Sequence, residues 1–192
     1  MNEAELSHLR DLHRRDQLLP LIAAIRASAV ASQHAECQFR LGDALRQIGR
    51  SADAQESLQT AIGQATGDLR FNAQVSLALL QRDAGQFAAS EQTLAQIAAE
   101  RMPLPGWFWV IRASAAANQE QFAAAIDFLH VAEASDDVDL DEVYLNLAYA
   151  YRALEETEES AAYAAKVLAL NSDLSAAARQ ILITLGVDQS SY

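Results

Sequence analysis

The sequence predicts an all-α fold, an α-solenoid of stacked antiparallel helix pairs with a C-terminal capping helix. Three observations predict it. Apolar residues recur at i, i+3, i+4 and i+7 along most of the chain, the spacing of one helix face. The pattern also repeats: Leu41-Gly42, Leu45, Ile48-Gly49, Ala54, Leu58 and Ala61 are matched, at the same internal spacing, by Leu147-Ala148, Tyr151, Leu154, Ser160, Ala164 and Val167. Only 3 Pro and 7 Gly interrupt 192 residues, too few for an all-β fold with many tight turns.

The elements follow in order. Residues 1–34 read as a degenerate helix pair, with helices near 3–14 and 17–30. Asp16 is the expected N-cap of the second helix, and Pro20 falls in its first turn, where a missing N–H does little harm. The pair 35–68 turns at Gly49-Arg50-Ser51, and the pair 69–104 turns at Gly85-Gln86-Phe87 after Leu77-Ala78. The pair 105–139 carries Trp109 and Ala113, then the turn Glu120-Gln121-Phe122; the pair 140–173 turns at Glu155-Glu156-Thr157. Leu174 to Leu185 reads as one extra helix in a capping segment 174–186, where Ile181, Leu182 and Leu185 cover the last apolar face. Residues 187–192 are expected to form a flexible tail.

Small residues have a physical task in this scheme. Gly42, Ala78, Ala113 and Ala148 stand where the two helices of a pair cross closely, and a larger side chain there would push them apart. Gly49 and Gly85 permit a left-handed helix end. In Met102-Pro-Leu-Pro-Gly-Trp-Phe-Trp109, the two prolines stop the preceding helix. Trp109 is expected to take the packing position, which leaves at least one of Trp107 and Phe108 exposed.

The pattern resembles the tetratricopeptide repeat, whose period is about 34 residues. The resemblance rests on the Leu-Gly/Ala pairs, the turn glycines and the later Ala positions named above, and is closest in 35–68 and 141–174. Arg112 and Gln81 depart from it, standing where the family places a Leu and an aromatic, and the stretch from Gly67 to Phe71 is slightly too long. The resemblance implies a right-handed superhelix in which first helices line a concave groove and second helices form the outer face. It also implies a non-catalytic scaffold or adaptor, chaperone-like, that binds a protein or extended peptide.

If first helices line the groove, helical geometry selects the residues off each packing stripe. They are Phe39, Arg40, Asp43 and Arg46 in the second pair, and Asn72, Leu79 and Arg82 in the third. Trp107, Ile111 and Asn118 follow in the fourth, Asn146, Tyr149 and Arg152 in the fifth, and Arg179 on the capping helix. Arg, Trp and Tyr are enriched in binding hot spots. Asn can pair with both polar groups of an extended main chain, and Arg can grip a carboxylate. The family's Lys/Asn clamp for chaperone tails is not expected, because Lys166 is the only lysine and lies on a second helix.

Composition excludes several classes. The net charge is −12, which repels nucleic-acid phosphates and anionic membranes. The charge is uneven: residues 97–192 hold 15 acidic and 5 basic residues, against 11 and 9 in 1–96. Cys37 is the only cysteine, so no internal disulfide forms; no basic n-region precedes an apolar stretch, and the apolar run near Leu18 to Ile25 is too short to span a bilayer. A cytoplasmic protein without membrane insertion is expected.

No catalytic residues, cofactor or metal are expected. His8, His13, His34 and His130 show no ligand spacing with Cys37, and neither a phosphate loop nor a nucleophile elbow is present. The acidic stretch Asp136 to Glu142 lacks the Gly of a calcium loop, and reads as an inter-repeat loop that N-caps the next helix. Two other functions stay open: a self-associating assembly or regulatory factor, hence a homodimer, and the repeat portion of a transferase-type system acting in trans.

Overall fold

The close crossing of paired helices organises this chain, as the computed structural model, which describes residues 1–187, makes visible. Among those residues there are eleven α-helices, one 3-10 turn and no strand, so the fold is all-α and of the helix-pair solenoid class. The helices pack into two compact units, Met1–Glu100 and a second from Arg101 onward.

The first unit holds α1 (Glu3–Arg14), α2 (Leu18–Ala27), α3 (Ala35–Gln47), α4 (Ser51–Gln64), α5 (Gly67–Asp83) and α6 (Phe87–Glu100). A capping box starts α1: Glu5 N–H donates to Asn2 Oδ1 at 2.9 Å and Asn2 N–H to Glu5 Oε2 at 3.0 Å. Two details differ from the sequence reading. The N-cap of α2 is Gln17, because Asp16 takes a left-handed φ of +56° in the preceding turn. The helix also stops at Ala27, and a 3-10 turn at Ala31–Gln33 leads into α3. Leu21, Ile25, Cys37, Leu45 and Leu58 are fully buried in this unit's core. The surplus residues before Phe71 are absorbed by helix: α5 starts at Gly67 and runs 17 residues.

The second unit holds α7 (Gly106–Ala117), α8 (Phe122–Glu133), α9 (Leu140–Ala153), α10 (Thr157–Leu170) and α11 (Ser175–Thr184). Ile181 and Leu182 of α11 are fully buried, in a cluster with Ala148, Ala164 and Val167 and with Leu185 packed against it. The tail expected at 187–192 lies, beyond Val187, outside the described residues. In the aromatic run Trp109 packs against the core and Trp107 is the exposed ring, as expected, while Phe108 is buried more deeply than either. Phe108 is the fully buried ring, Trp109 is half-buried and stacked on Phe128 (centroids 5.9 Å, 30°), and Trp107 is 36% exposed. A helix turns about 100° per residue, so three consecutive rings cannot share one face.

The helix crossings show why small residues recur. A Cβ built on Gly42 would stand 2.6 Å from Leu58 Cγ. At the equivalent places in α5 and α9 the main-chain carbonyl is also used: Ser90 Oγ donates to Ala78 O and Ser160 Oγ to Ala148 O, each at 2.8 Å. Both serines are buried, and the bond satisfies a hydroxyl that would otherwise cost about 1–3 kcal/mol. Arg112, anomalous in sequence, lies half-buried with its guanidinium 4.3 Å from the Phe128 ring centroid and 5.8 Å from that of Trp109. The stem packs while the cation faces aromatic rings, so no buried Leu is needed there.

The turns after first helices need a left-handed residue. Gly49 (φ +77°) and Gly85 (φ +74°) supply it without strain, whereas Glu120 (φ +59°) and Glu155 (φ +64°) carry a Cβ through it. Two outcomes follow. Gly42→Leu should destabilise the protein by about 1–3 kcal/mol through overpacking against Leu58, measured by urea denaturation. Glu155→Gly should leave stability unchanged or raise it by about 1 kcal/mol, since relief of the left-handed strain outweighs the added chain entropy.

Candidate functional site

In the first unit, the polar residues facing off the packing stripe bond to one another. Asp43 is buried on α3, and four side chains converge on it. His13 Nε2 lies 3.0 Å from Oδ2, Gln47 Nε2 donates at 2.9 Å, Arg46 Nη2 at 3.1 Å and Ser76 Oγ at 3.3 Å. Arg40 Nη1 stands 3.0 Å from His13 Nδ1. A guanidinium can only donate, so Nδ1 accepts and Nε2 carries the hydrogen given to Asp43. Arg40 also donates to Glu36 Oε1 at 2.7 Å, and Arg10 grips both oxygens of Glu36 at 2.7 and 2.8 Å. Arg46 reaches Asp83 at 2.9 Å, and Arg82 meets the same carboxylate at 3.1 Å.

The network ties α1, α3 and α5 together. Burial alone would raise the Asp43 carboxyl, but the His13 hydrogen bond and the Arg46 charge outweigh it and bring it down to about 2. The Arg10 hydrogen bond, opposed by burial and helped by Arg40, brings Glu36 down to about 2. Four sequence-selected residues, Arg40, Asp43, Arg46 and Arg82, are therefore brought together but paired within the chain. Phe39 is half-buried against the core with the His13 ring edge-on at 6.2 Å; Leu79 is half-buried and Asn72 exposed. His13 was missed as a member because it comes from α1, outside the repeat register.

In the second unit five of the selected residues, Trp107, Ile111, Asn118, Asn146 and Tyr149, border two pockets. One, of about 220 Å³, is lined by Ser114, Asn118, Phe122, Leu129, Asn146, Tyr149 and four alanines of α7, α8 and α9. Asn118 Nδ2 donates to Ser114 O at 2.8 Å, which leaves its amide oxygen as an acceptor. Asn146 is half-buried and its side-chain amide has no partner among the described residues. Tyr149 is 39% exposed, with the Arg152 guanidinium 5.1 Å above its ring centroid. Arg152 has no carboxylate partner among the described residues, unlike the four arginines of the network.

The other pocket, of about 360 Å³, is lined by Trp107, Val110, Ile111, Asp136, Asp137, Val138, Asp139 and Glu142. Its acidic wall is held by a close backbone approach. Gly106 N–H donates to Asp137 Oδ1 at 2.8 Å, and a Cβ on Gly106 would lie 2.6 Å from Ser135 Cβ and Val138 Cγ1. Asp139 occupies the N-cap position of α9, yet its side chain makes no capping bond; Asp141 Oδ1 accepts from Glu142 N–H at 2.9 Å instead. The capping role expected for this stretch is thus only partly realised. Arg179 is exposed on α11 and borders neither pocket.

Other titratable groups are used structurally. Cys37 is fully buried, and burial pushes its thiol up to about 11. Lys166 lies 4.1 Å from the Tyr163 ring centroid and 4.8 Å from that of Tyr144, and donates to Glu133 at 3.2 Å. Among the described residues no group of His, Cys, Asp and Glu could hold a metal, and no helix is long and apolar enough to cross a membrane.

Residues 35–65 and 141–174 match the tetratricopeptide repeat family model. No curated protein matches the chain by sequence. Among solved structures, MamA residues 41-end from Desulfovibrio magneticus RS-1 is similar at 16% identity and TM-score 0.71, over 88% of this chain and 94% of that one. A putative kinesin light chain with nearly identical TPR-like repeats from Podosopora anserina is similar at 19% identity and TM-score 0.68, over 86% and 92%. A tetratricopeptide repeat protein from Parabacteroides merdae is similar at 14% identity and TM-score 0.65, over 93% and 68%. At these identities the likeness is one of fold.

The Asp43 network makes a pH prediction. Its carboxyl is lower in the folded than in the unfolded chain, so its stabilisation is present above the ordinary carboxylate range and is lost as pH falls from about 4 towards 2. Asp43→Asn should cost about 1–3 kcal/mol at pH 7 and flatten the acid limb of the stability profile, as read by urea denaturation from pH 2 to 7.

Proposed function

We propose that this tetratricopeptide-repeat protein is a non-catalytic scaffold that holds a segment of another protein, and that the face of α7 and α9 in the second unit receives it. One observation carries the reading. A half-buried Asn146 amide without a partner borders the same pocket as the exposed Tyr149 ring, over which the Arg152 guanidinium lies. The amide opens into a concave, largely apolar site, where its donor and acceptor can both pair with an incoming main chain.

The size of the pocket selects the kind of ligand. At about 220 Å³ it falls below the 300–1,000 Å³ typical of small-molecule and cofactor sites. It suits one apolar side chain, with the flanking main chain paired to Asn146 and to the free oxygen of Asn118. The polar residues of α3 and α5 hold their own unit together in this reading, and contribute rigidity rather than affinity.

A partner recovered from the native host should bind the purified chain with an affinity that depends on this pocket. Tyr149→Ala and Asn146→Ala should each weaken it by about 1–4 kcal/mol, measured by isothermal titration, with helical content unchanged. Wild-type affinity in both variants would remove the α7–α9 face from consideration. Dimerisation that Tyr149→Ala abolishes, seen by light scattering, would make a second copy the partner.

A further inference from the structure

From the second unit we infer that the segment held is basic: it places one apolar side chain in the Asn146–Tyr149 pocket and an Arg or Lys of the same segment in the Trp107–Glu142 pocket. The inference rests on the α7–α9 face being the docking face, and adds the chemistry of the partner.

The geometry comes first. Trp107, Val110 and Ile111 of α7 share one pocket with Glu142 of α9. Ser114, Ala117 and Asn118, further along α7, share the other with Asn146 and Tyr149, further along α9. The two helices therefore run side by side in the same direction, and the pockets lie in line along them. Val110 to Ala117 and Glu142 to Tyr149 are each seven residues, a separation of about 10 Å at the α-helical rise. Extended chain covers that distance in about three residues. One short segment spans both pockets.

Charge decides what fills the second pocket. Asp136, Asp139 and Glu142 are exposed, and their carboxylates have no partner among the described residues. Asp139 and Glu142 stand at the N-cap and in the first turn of α9, where their charge suits the helix dipole, but neither carboxylate is held by a bond among the described residues, and only Asp137 of the acidic wall is bonded to backbone. Residues 101–187 hold 13 acidic and 5 basic residues, so the whole unit attracts a cation and repels an anion. Val110, Ile111 and Val138 give the pocket an apolar lining for the methylenes of a long basic side chain. Arg152, beside the other pocket, already lies over the Tyr149 ring and acts in this scheme as a wall.

The probes are fluorescein-labelled ten-residue peptides with one Phe three residues from a pair of Arg. Matched peptides replace the Arg pair by Glu or by Ser, or the Phe by Ser. Anisotropy with the full chain should show the Arg peptide binding at least tenfold more tightly than either the Glu or the Ser version, with the advantage fading as salt rises. The double variant Asp139→Asn/Glu142→Gln should reduce Arg-peptide affinity to that of the Ser version and leave the Ser version unchanged. Tyr149→Ala should weaken both. Equal or tighter binding of the Glu peptide, or an Arg advantage that survives Asp139→Asn/Glu142→Gln, would overturn the basic partner while leaving the docking face in place. Binding that ignores Tyr149→Ala, or no binding by any peptide, would overturn both.

Discussion

Everything in this fold depends on how closely the two helices of a pair approach. At Gly42 the approach leaves no room for a Cβ, and at Ala78 and Ala148 the main-chain carbonyl is near enough to take a hydrogen bond from a serine on the partner helix. That contact sets the tilt of each pair and so decides which residues of the first helices point away from the packing stripe. The left-handed turn residues are a consequence. Helices so close are joined here in three or four residues, and the chain has to reverse sharply at the end of the first helix. Two pairs use glycine there and two tolerate glutamate, so the geometry is enforced by packing rather than by local preference.

The two units carry the same helix-pair plan but use their polar residues differently. In the first, four arginines are matched by Glu3, Glu36, Asp43 and Asp83, and the imidazole of His13 links the two halves of the array. Such an array fixes α1 against α3 and holds its carboxylates ionised. In the second, acidic residues outnumber basic ones and several have no partner among the described residues, while the aromatic rings of α9 and α10 stack on each other. One unit spends charge on cohesion. The other presents charge and aromatic surface to whatever it meets.

The repeat pattern was legible because it follows from helix geometry alone. The spacing of Leu41, Leu45 and Leu58, and its echo at Leu147, Tyr151 and Ala164, placed the helices, their turns and the crossing residues. The errors came where neighbours compete locally. Asp16 looked like a cap but takes the left-handed turn instead, and the full burial of Phe108 beside the packed Trp109 was not signalled. A rotation of one residue is about 100°, and three adjacent apolar rings give no internal signal of which faces the core.

The sequence by itself determined the fold class, the pairing of helices and the set of polar residues standing off the packing stripes, since each is a matter of spacing along one chain. Only tertiary structure decided which of those residues remain available. Arg40, Arg46 and Arg82 carry the same chemistry as Arg152, yet partners as far away in sequence as His13 and Asp83 engage them. A charge is free or paired according to what lies within a few ångströms in space, and spacing along the chain does not record that distance.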